Sequence, residues 1–156
     1  MRNRLDAIIR LVPIPKKPKP GGIPLETSGT ESADHEAIEK ARLIVEAALD
    51  LKGERVVALD MRALSAFADT FVIVSGRSDR HVRSIADSIV RALRDQGDPP
   101  LGVEGADEGH WVLIDANDAI VHVFEPETRE AFDLERLWSD AKSLDLVPPP
   151  SPEFED

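Results

Sequence analysis

In the stretch Thr70-Phe71-Val72-Ile73-Val74-Ser75 every position before the closing serine is β-branched or apolar, consecutively and not alternately. Successive side chains of a strand point to opposite faces, so such a run suits a strand covered on both sides, and the chain must supply the covering layers. Two later runs, Trp111 to Asp115 and Asp118 to Phe124, repeat that demand. All three have strand length and fall far short of the roughly 20 apolar residues that cross a bilayer. Ala116-Asn117 joins the last two, and asparagine tolerates the left-handed backbone of a tight turn, which predicts an antiparallel hairpin. With that turn Trp111 lies opposite His122 and Leu113 opposite Ile120 on one face, while Val112, Ile114, Ala119 and Val121 share the other. If helices cover only one face, Trp111, Leu113, Ile120 and His122 form a docking patch; the alternative is that both faces are covered.

Candidates for the covering layer stand on either side of the first run. Ser32 suits the N-cap of a helix whose apolar stripe is Ile38, Ala41, Val45, Ala48 and Leu49, and Gly53 is placed to end it. Arg55 to Asp60 reads as a strand. A second helix follows Ser75-Gly76-Arg77, with Ser78 as N-cap, Asp79 at the positive end of the dipole, and Val82, Ile85, Ala86, Ile89 and Leu93 facing inward. Gly97, Pro99 and Pro100 stop it before a short strand, Leu101 to Glu104. A last helix from about Asp133 presents Leu134, Leu137, Trp138 and Ala141. The fold class is therefore α/β, a mixed five-stranded sheet with flanking helices in the order α-β-β-α-β-β-β-α.

This domain is expected over residues 32–146 of the 156, between a basic, proline-rich arm at 1–31 and an acidic, proline-rich tail at 147–156. Charge divides the same way. Up to Leu25 there are six basic residues and one acid; the rest keeps 13 of the 19 basic and 29 of the 30 acidic residues, a formal charge of −16 beside +5. A body so negative repels phosphate backbones and suits a basic protein surface. The arm's amphipathic stretch is short and contains Asp6, which argues against an organelle transit peptide. With no cysteine there is neither a disulfide nor a thiolate metal site, in keeping with a reducing cytosol.

Catalytic chemistry finds little purchase. The loop Ser75 to His81, between a strand and a helix, is where backbone amides could hold an anion, but the spacing and terminal Lys-Ser/Thr of a nucleotide loop are absent. A nucleotide- or phosphate-handling enzyme using Gly76–His81 stands as the alternative reading. Asp60, Asp69, Asp115 and Asp118 sit singly, Glu125-Pro126-Glu127 reads as a strand exit, and the four histidines share no ligand spacing. No serine has a nucleophile-elbow context. The expectation is a chain that is not an enzyme, with no catalytic residue, metal or cofactor. A self-associating scaffold that pairs through the hairpin face is a third reading.

The ordered segments Ala58-Leu59-Asp60, Ala68 to Ile73, Ser75 to Val82, Gly102 to Gly105, Trp111 to Asp115, Ile120 to Phe124 and Asp133 to Trp138 resemble the ribosomal silencing factors of the Iojap family. The match spans about Ala37 to Ala141. The resemblance implies a nucleotidyltransferase-like fold without the transferase carboxylates. It also implies binding to large ribosomal subunit protein fourteen on the intersubunit face, where the bound factor obstructs the small subunit and damps translation in starvation or stationary phase. Carried over by position, the partner-binding role falls to Trp111, His122 and Phe132, and further to Asp79, His81, Glu104, Asp115 and Glu130. Many relatives have tyrosine where this chain has Phe132, so a hydroxyl contact is lost while ring packing remains. The arm lies outside the resemblance and suits contact with ribosomal RNA. The expected setting is the bacterial cytoplasm, as a monomer or a homodimer.

Overall fold

The computed structural model describes residues 27–65 and 68–147; the arm through residue 26 and the tail from residue 148 lie outside the described residues. The elements are α1 (Thr27–Asp50), β1 (Glu54–Asp60), β2 (Thr70–Ser75), α2 (Asp79–Asp95), β3 (Gly102–Glu104), β4 (Trp111–Asp115), β5 (Ala119–Phe124), α3 (Pro126–Phe132), α4 (Leu134–Leu137) and β6 (Lys142–Leu144). They form one mixed sheet of six strands in the order β3-β4-β5-β2-β1-β6. Strands β2 and β5 run parallel at its centre, and every other neighbouring pair is antiparallel. The expected five strands become six because β6 pairs with the outer side of β1, Ala58 facing Leu144. Its three residues, Lys-Ser-Leu, carry no alternation long enough to mark a strand, and a lysine on an exposed edge is the usual guard against edge pairing.

All positions of β2, β4 and β5 are buried, as runs apolar on both faces require. Val72, Val74, Val112, Ile114, Val121 and Val123 point to the layer made by α1 and α2. Phe71, Ile73, Trp111, Leu113, Ile120 and Phe124 point the other way, beside Leu59 of β1 and together with Met61, Leu134 and Trp138 from outside the strands. Both faces are therefore covered, one by two long helices and the other by short elements.

Helix α2 follows its sequence closely. The Ser78 hydroxyl accepts from the His81 N–H, and Val82, Ile85, Ala86, Ile89 and Leu93 are its buried residues. At the far end Gly97 takes φ +74°, with Asp98 N–H donating to Leu93 O and Gly97 N–H to Arg94 O, the paired bonds that satisfy terminal carbonyls. Helix α1 begins at Thr27, ahead of Ser32, which lies inside the helix and is not its N-cap. Its buried stripe centres on Ala41, Ile44, Val45 and Ala48, with Ile38 and Leu49 only half-buried at the margins.

The hairpin turns one residue later than expected. Asn117, at φ +74°, and Asp118 form the loop, and Ala116 N–H donates to Ala119 O. Trp111 consequently faces Phe124, and Leu113 faces His122. A shift of two in pairing leaves every side chain on its expected face, because strand side chains alternate with period two.

Past β5, Pro126 occupies the first turn of α3 and does not merely mark a strand exit; its fixed φ suits that place and its missing N–H costs nothing there. Asp133, in left-handed backbone at φ +48°, separates α3 from α4. Leu134 and Trp138 are buried, but Leu137, expected on the same inward stripe, is 50 % exposed.

Candidate functional site

The parallel strands β2 and β5 end, and β4 begins, at one end of the sheet, where α3 and α4 pack. Trp111 opens β4 there. Its indole N–H donates to His122 Nδ1 at 3.1 Å, its ring stands 4.8 Å from Phe124, and Phe132 from α3 lies 4.6 Å away. His122 also stacks on Phe124 at 5.9 Å and meets the edge of Phe71 at 5.0 Å. Burial pushes the His122 pKa down to about 3, so its imidazole is neutral; since Nδ1 accepts, the proton sits on Nε2. The expected anchors Trp111 and His122 are thus the buried floor of the site, at 7 % and 1 % exposure, and Phe132 above them is 46 % exposed.

The segment that carries this ring is acidic. Glu127, Glu130, Asp133 and Asp140 are exposed, against Arg136. Leu137 adds a second exposed apolar side chain. Glu104, opposite Leu113 in register, lies on the same sheet face as Trp111; it is half-buried, and its Oε2 has no partner among the described residues.

The other expected residues are differently placed. Asp79 pairs with Arg83 at 2.9 Å, and a Cβ at Gly109 would fall 2.9 Å from Asp79 Cβ, which puts Asp79 beside the approach to Trp111. Arg83 also holds the 105–109 loop by donating to Ala106 O at 2.9 Å. His81 fastens the α2 entry: Nδ1 accepts from Arg77 N–H at 2.9 Å, and Nε2 lies 2.6 Å from Leu51 O at the end of α1. Asp115 is at the opposite end of β4, about 13 Å from Trp111 at roughly 3.3 Å per residue. It is buried and accepts from Asn117 N–H at 3.0 Å, so the structure does not bring it to this end.

Sequence reasoning missed two residues here. Spacing on a continuous helix from Asp133 turns Leu137 inward, whereas the helix ends at Leu137 and leaves it exposed. Arg129 was not singled out at all; it is 3 % exposed, donating through Nε to Glu135 at 2.6 Å and through Nη1 to Ser75 Oγ at 2.9 Å. Its only signal was an isolated base in the acidic string Glu125 to Glu130.

Three amides of the loop from Gly76 to His81 are engaged within the protein. Gly76 N–H donates to Phe124 O, Arg77 N–H to His81 and His81 N–H to Ser78, and a Cβ on Gly76 would fall 2.8 Å from Val82 N. Such a loop is a helix cap and strand exit more than a phosphate cradle. Among the described residues no group of three or more His, Asp or Glu is arranged to hold a metal ion.

Comparison with known proteins places this surface in context. The family model described as ribosomal silencing factor during starvation matches residues 34–155. The chain belongs to that family. A ribosomal silencing factor of Halalkalibacterium halodurans is 41 % identical over 108 residues, covering 69 % of this chain and 92 % of the relative. A mouse relative named mitochondrial assembly of ribosomal large subunit protein 1 is 37 % identical over 76 residues, covering 47 % of this chain and 33 % of that one. A crystal structure of a Chromobacterium violaceum protein, 37 % identical, superposes with a TM-score of 0.64 over 65 % of this chain and 84 % of that one. The silencing factors are not an enzyme family, and membership gives this member a ribosome-associated role in silencing translation. Among the described residues no helix is long and apolar enough to cross a membrane.

Proposed function

We propose that this silencing factor docks on the large ribosomal subunit through the acidic surface that bears Phe132, contacts its protein fourteen, and obstructs joining of the small subunit by occupying the intersubunit face. The reading rests above all on one observation: the exposed ring of Phe132 is seated on Trp111, which belongs to a buried Trp111–His122–Phe124 cluster at one end of the sheet. A rigid aromatic anchor on an acidic segment fits a basic protein with an aliphatic socket, the composition in which a few central residues carry most binding energy. The mouse relative is named for assembly of the ribosomal large subunit, which supports the choice of particle. The setting that goes with this role is the bacterial cytoplasm.

The geometry gives the phosphate-enzyme alternative little support, because the amides of Gly76, Arg77 and His81 are already engaged and Asp79 places a carboxylate at the start of the helix. Co-sedimentation with purified large subunits tests the proposal. Wild type should pellet with the particles, and Phe132→Ala should weaken binding by about 2 kcal/mol, the scale of an interface hot spot. A subunit-joining assay should show the same order of potency. Wild type that stays in the supernatant, or Phe132→Ala that binds and obstructs as well as wild type, would count against it.

A further inference from the structure

Arg129 is a buried cation that reaches three elements at once. It belongs to α3, its Nη1 donates to Ser75 Oγ at the end of β2, and its Nε donates to Glu135 Oε1 in α4. The remaining nitrogen, Nη2, is buried with no partner among the described residues. Burying a guanidinium that is not fully satisfied is a poor way to gain stability, since an apolar side chain of similar volume often serves as well or better. What an apolar side chain cannot do is fix direction. A guanidinium fork fastens its two partners in a set geometry.

That geometry is needed at this place. Helices of seven and four residues do not hold themselves, because so short a run barely recovers the cost of its first turn. Yet α3 carries Phe132, three residues beyond Arg129, and α4 carries Leu137, two beyond Glu135. The left-handed Asp133 between them is a natural hinge. We infer that Arg129 is the positioning residue of the docking surface: by tying α3 and α4 to the rigid end of β2 it sets the spacing at which Phe132 and Leu137 are presented, without touching the partner. This rests on the docking reading proposed above.

The experiment compares Arg129→Met with wild type by three measurements: thermal unfolding, co-sedimentation with large subunits, and emission of Trp111 in a Trp138→Phe background. Among the described residues the Trp138 indole N–H has no partner, so phenylalanine removes no hydrogen bond there and keeps a ring against Phe71. Arg129→Met should remain folded and bind roughly tenfold more weakly, the range over which a residue away from the contact modulates binding. Trp111, no longer held under Phe132, should become more accessible to acrylamide. Arg129→Lys, which can satisfy only one of the two partners at a time, should fall between. If Arg129→Met does not fold, Ser75→Ala removes one of the two ties while keeping the Arg129–Glu135 pair, and it should show the same changes at about threefold in binding. Wild type that binds while the folded variants bind equally well, with Trp111 no more accessible, overturns the inference and leaves the docking reading intact. Wild type that fails to bind overturns both.

Discussion

At His122 the imidazole lies inside the second apolar face of the sheet, 1 % exposed, with its pKa pushed by burial down to about 3. In the unfolded chain the same group titrates near its ordinary value of about 6.5. Between those two values the unfolded chain binds a proton that the folded chain refuses. The contribution of this residue to stability is therefore complete above about pH 6.5 and is lost as the pH falls, by about 1.4 kcal/mol per pH unit. His122→Gln offers an oxygen to the Trp111 indole and does not titrate. Its unfolding free energy, measured in urea beside wild type, should gain on wild type by about 2 kcal/mol between pH 7 and pH 5. A difference that stays flat with pH would mean that His122 is protonated in the fold or open to water. Carboxylates elsewhere titrate in both proteins, so the comparison isolates the one imidazole.

Two elements show where local chemistry decides the architecture. The β3–β4 connection turns at Gly105, which takes φ +84°, and a Cβ there would stand 2.0 Å from Trp111 O. Gly105→Ala combines strained backbone with a clash against a carbonyl that cannot swing away, and should cost more than about 2 kcal/mol in urea unfolding. A loss under about 0.5 kcal/mol would show that the loop has an alternative path. On the helical side, Lys40 joins α1 to both the hairpin and the end of α2, donating to Ala116 O and pairing with Asp118 at 2.7 Å and Asp98 at 2.8 Å. Burial opposes its charge, but the two carboxylates outweigh that effect and raise its pKa. Lys40→Met leaves Ala116 O without its donor, and a loss of about 1–3 kcal/mol in the same measurement is expected. The capped, strongly amphipathic α2 was legible in the sequence because caps and stripe agree, and the three buried strands because they are apolar on both faces. The register of the hairpin was not, since Ala116-Asn117 and Asn117-Asp118 are both acceptable turns. Nor were α3, α4 and β6, which are too short to display a period and take their places from tertiary contacts. The same limit governed the site. Trp111, His122 and Phe132 were reachable through family resemblance, but the burial of the first two depends on those short covering elements.

For the molecule as a whole, the docking proposed above divides between charge, which acts on encounter, and shape, which acts on residence. The residues beyond Leu25 carry a formal −16, and the α3–α4 segment that bears Phe132 exposes Glu127, Glu130, Asp133 and Asp140. A body of that sign is repelled by ribosomal RNA and drawn to a basic ribosomal protein, so its attraction must be local to the protein partner. Association with isolated protein fourteen should therefore slow by about tenfold or more as ionic strength rises from roughly 50 to 300 mM, because the Debye length shrinks below the separation of the charged groups. Phe132→Ala should leave that association rate nearly unchanged and speed dissociation, since desolvated apolar contacts act after encounter. Removing residues 1–25 separates the two sources of salt dependence. If the acidic body does the steering, the truncated chain keeps the slope with isolated protein fourteen, and removing the +5 arm should if anything steepen it. If instead the slope disappears with the arm, attraction resides in the basic segment, and the acidic segment that bears Phe132 is only a solvated margin.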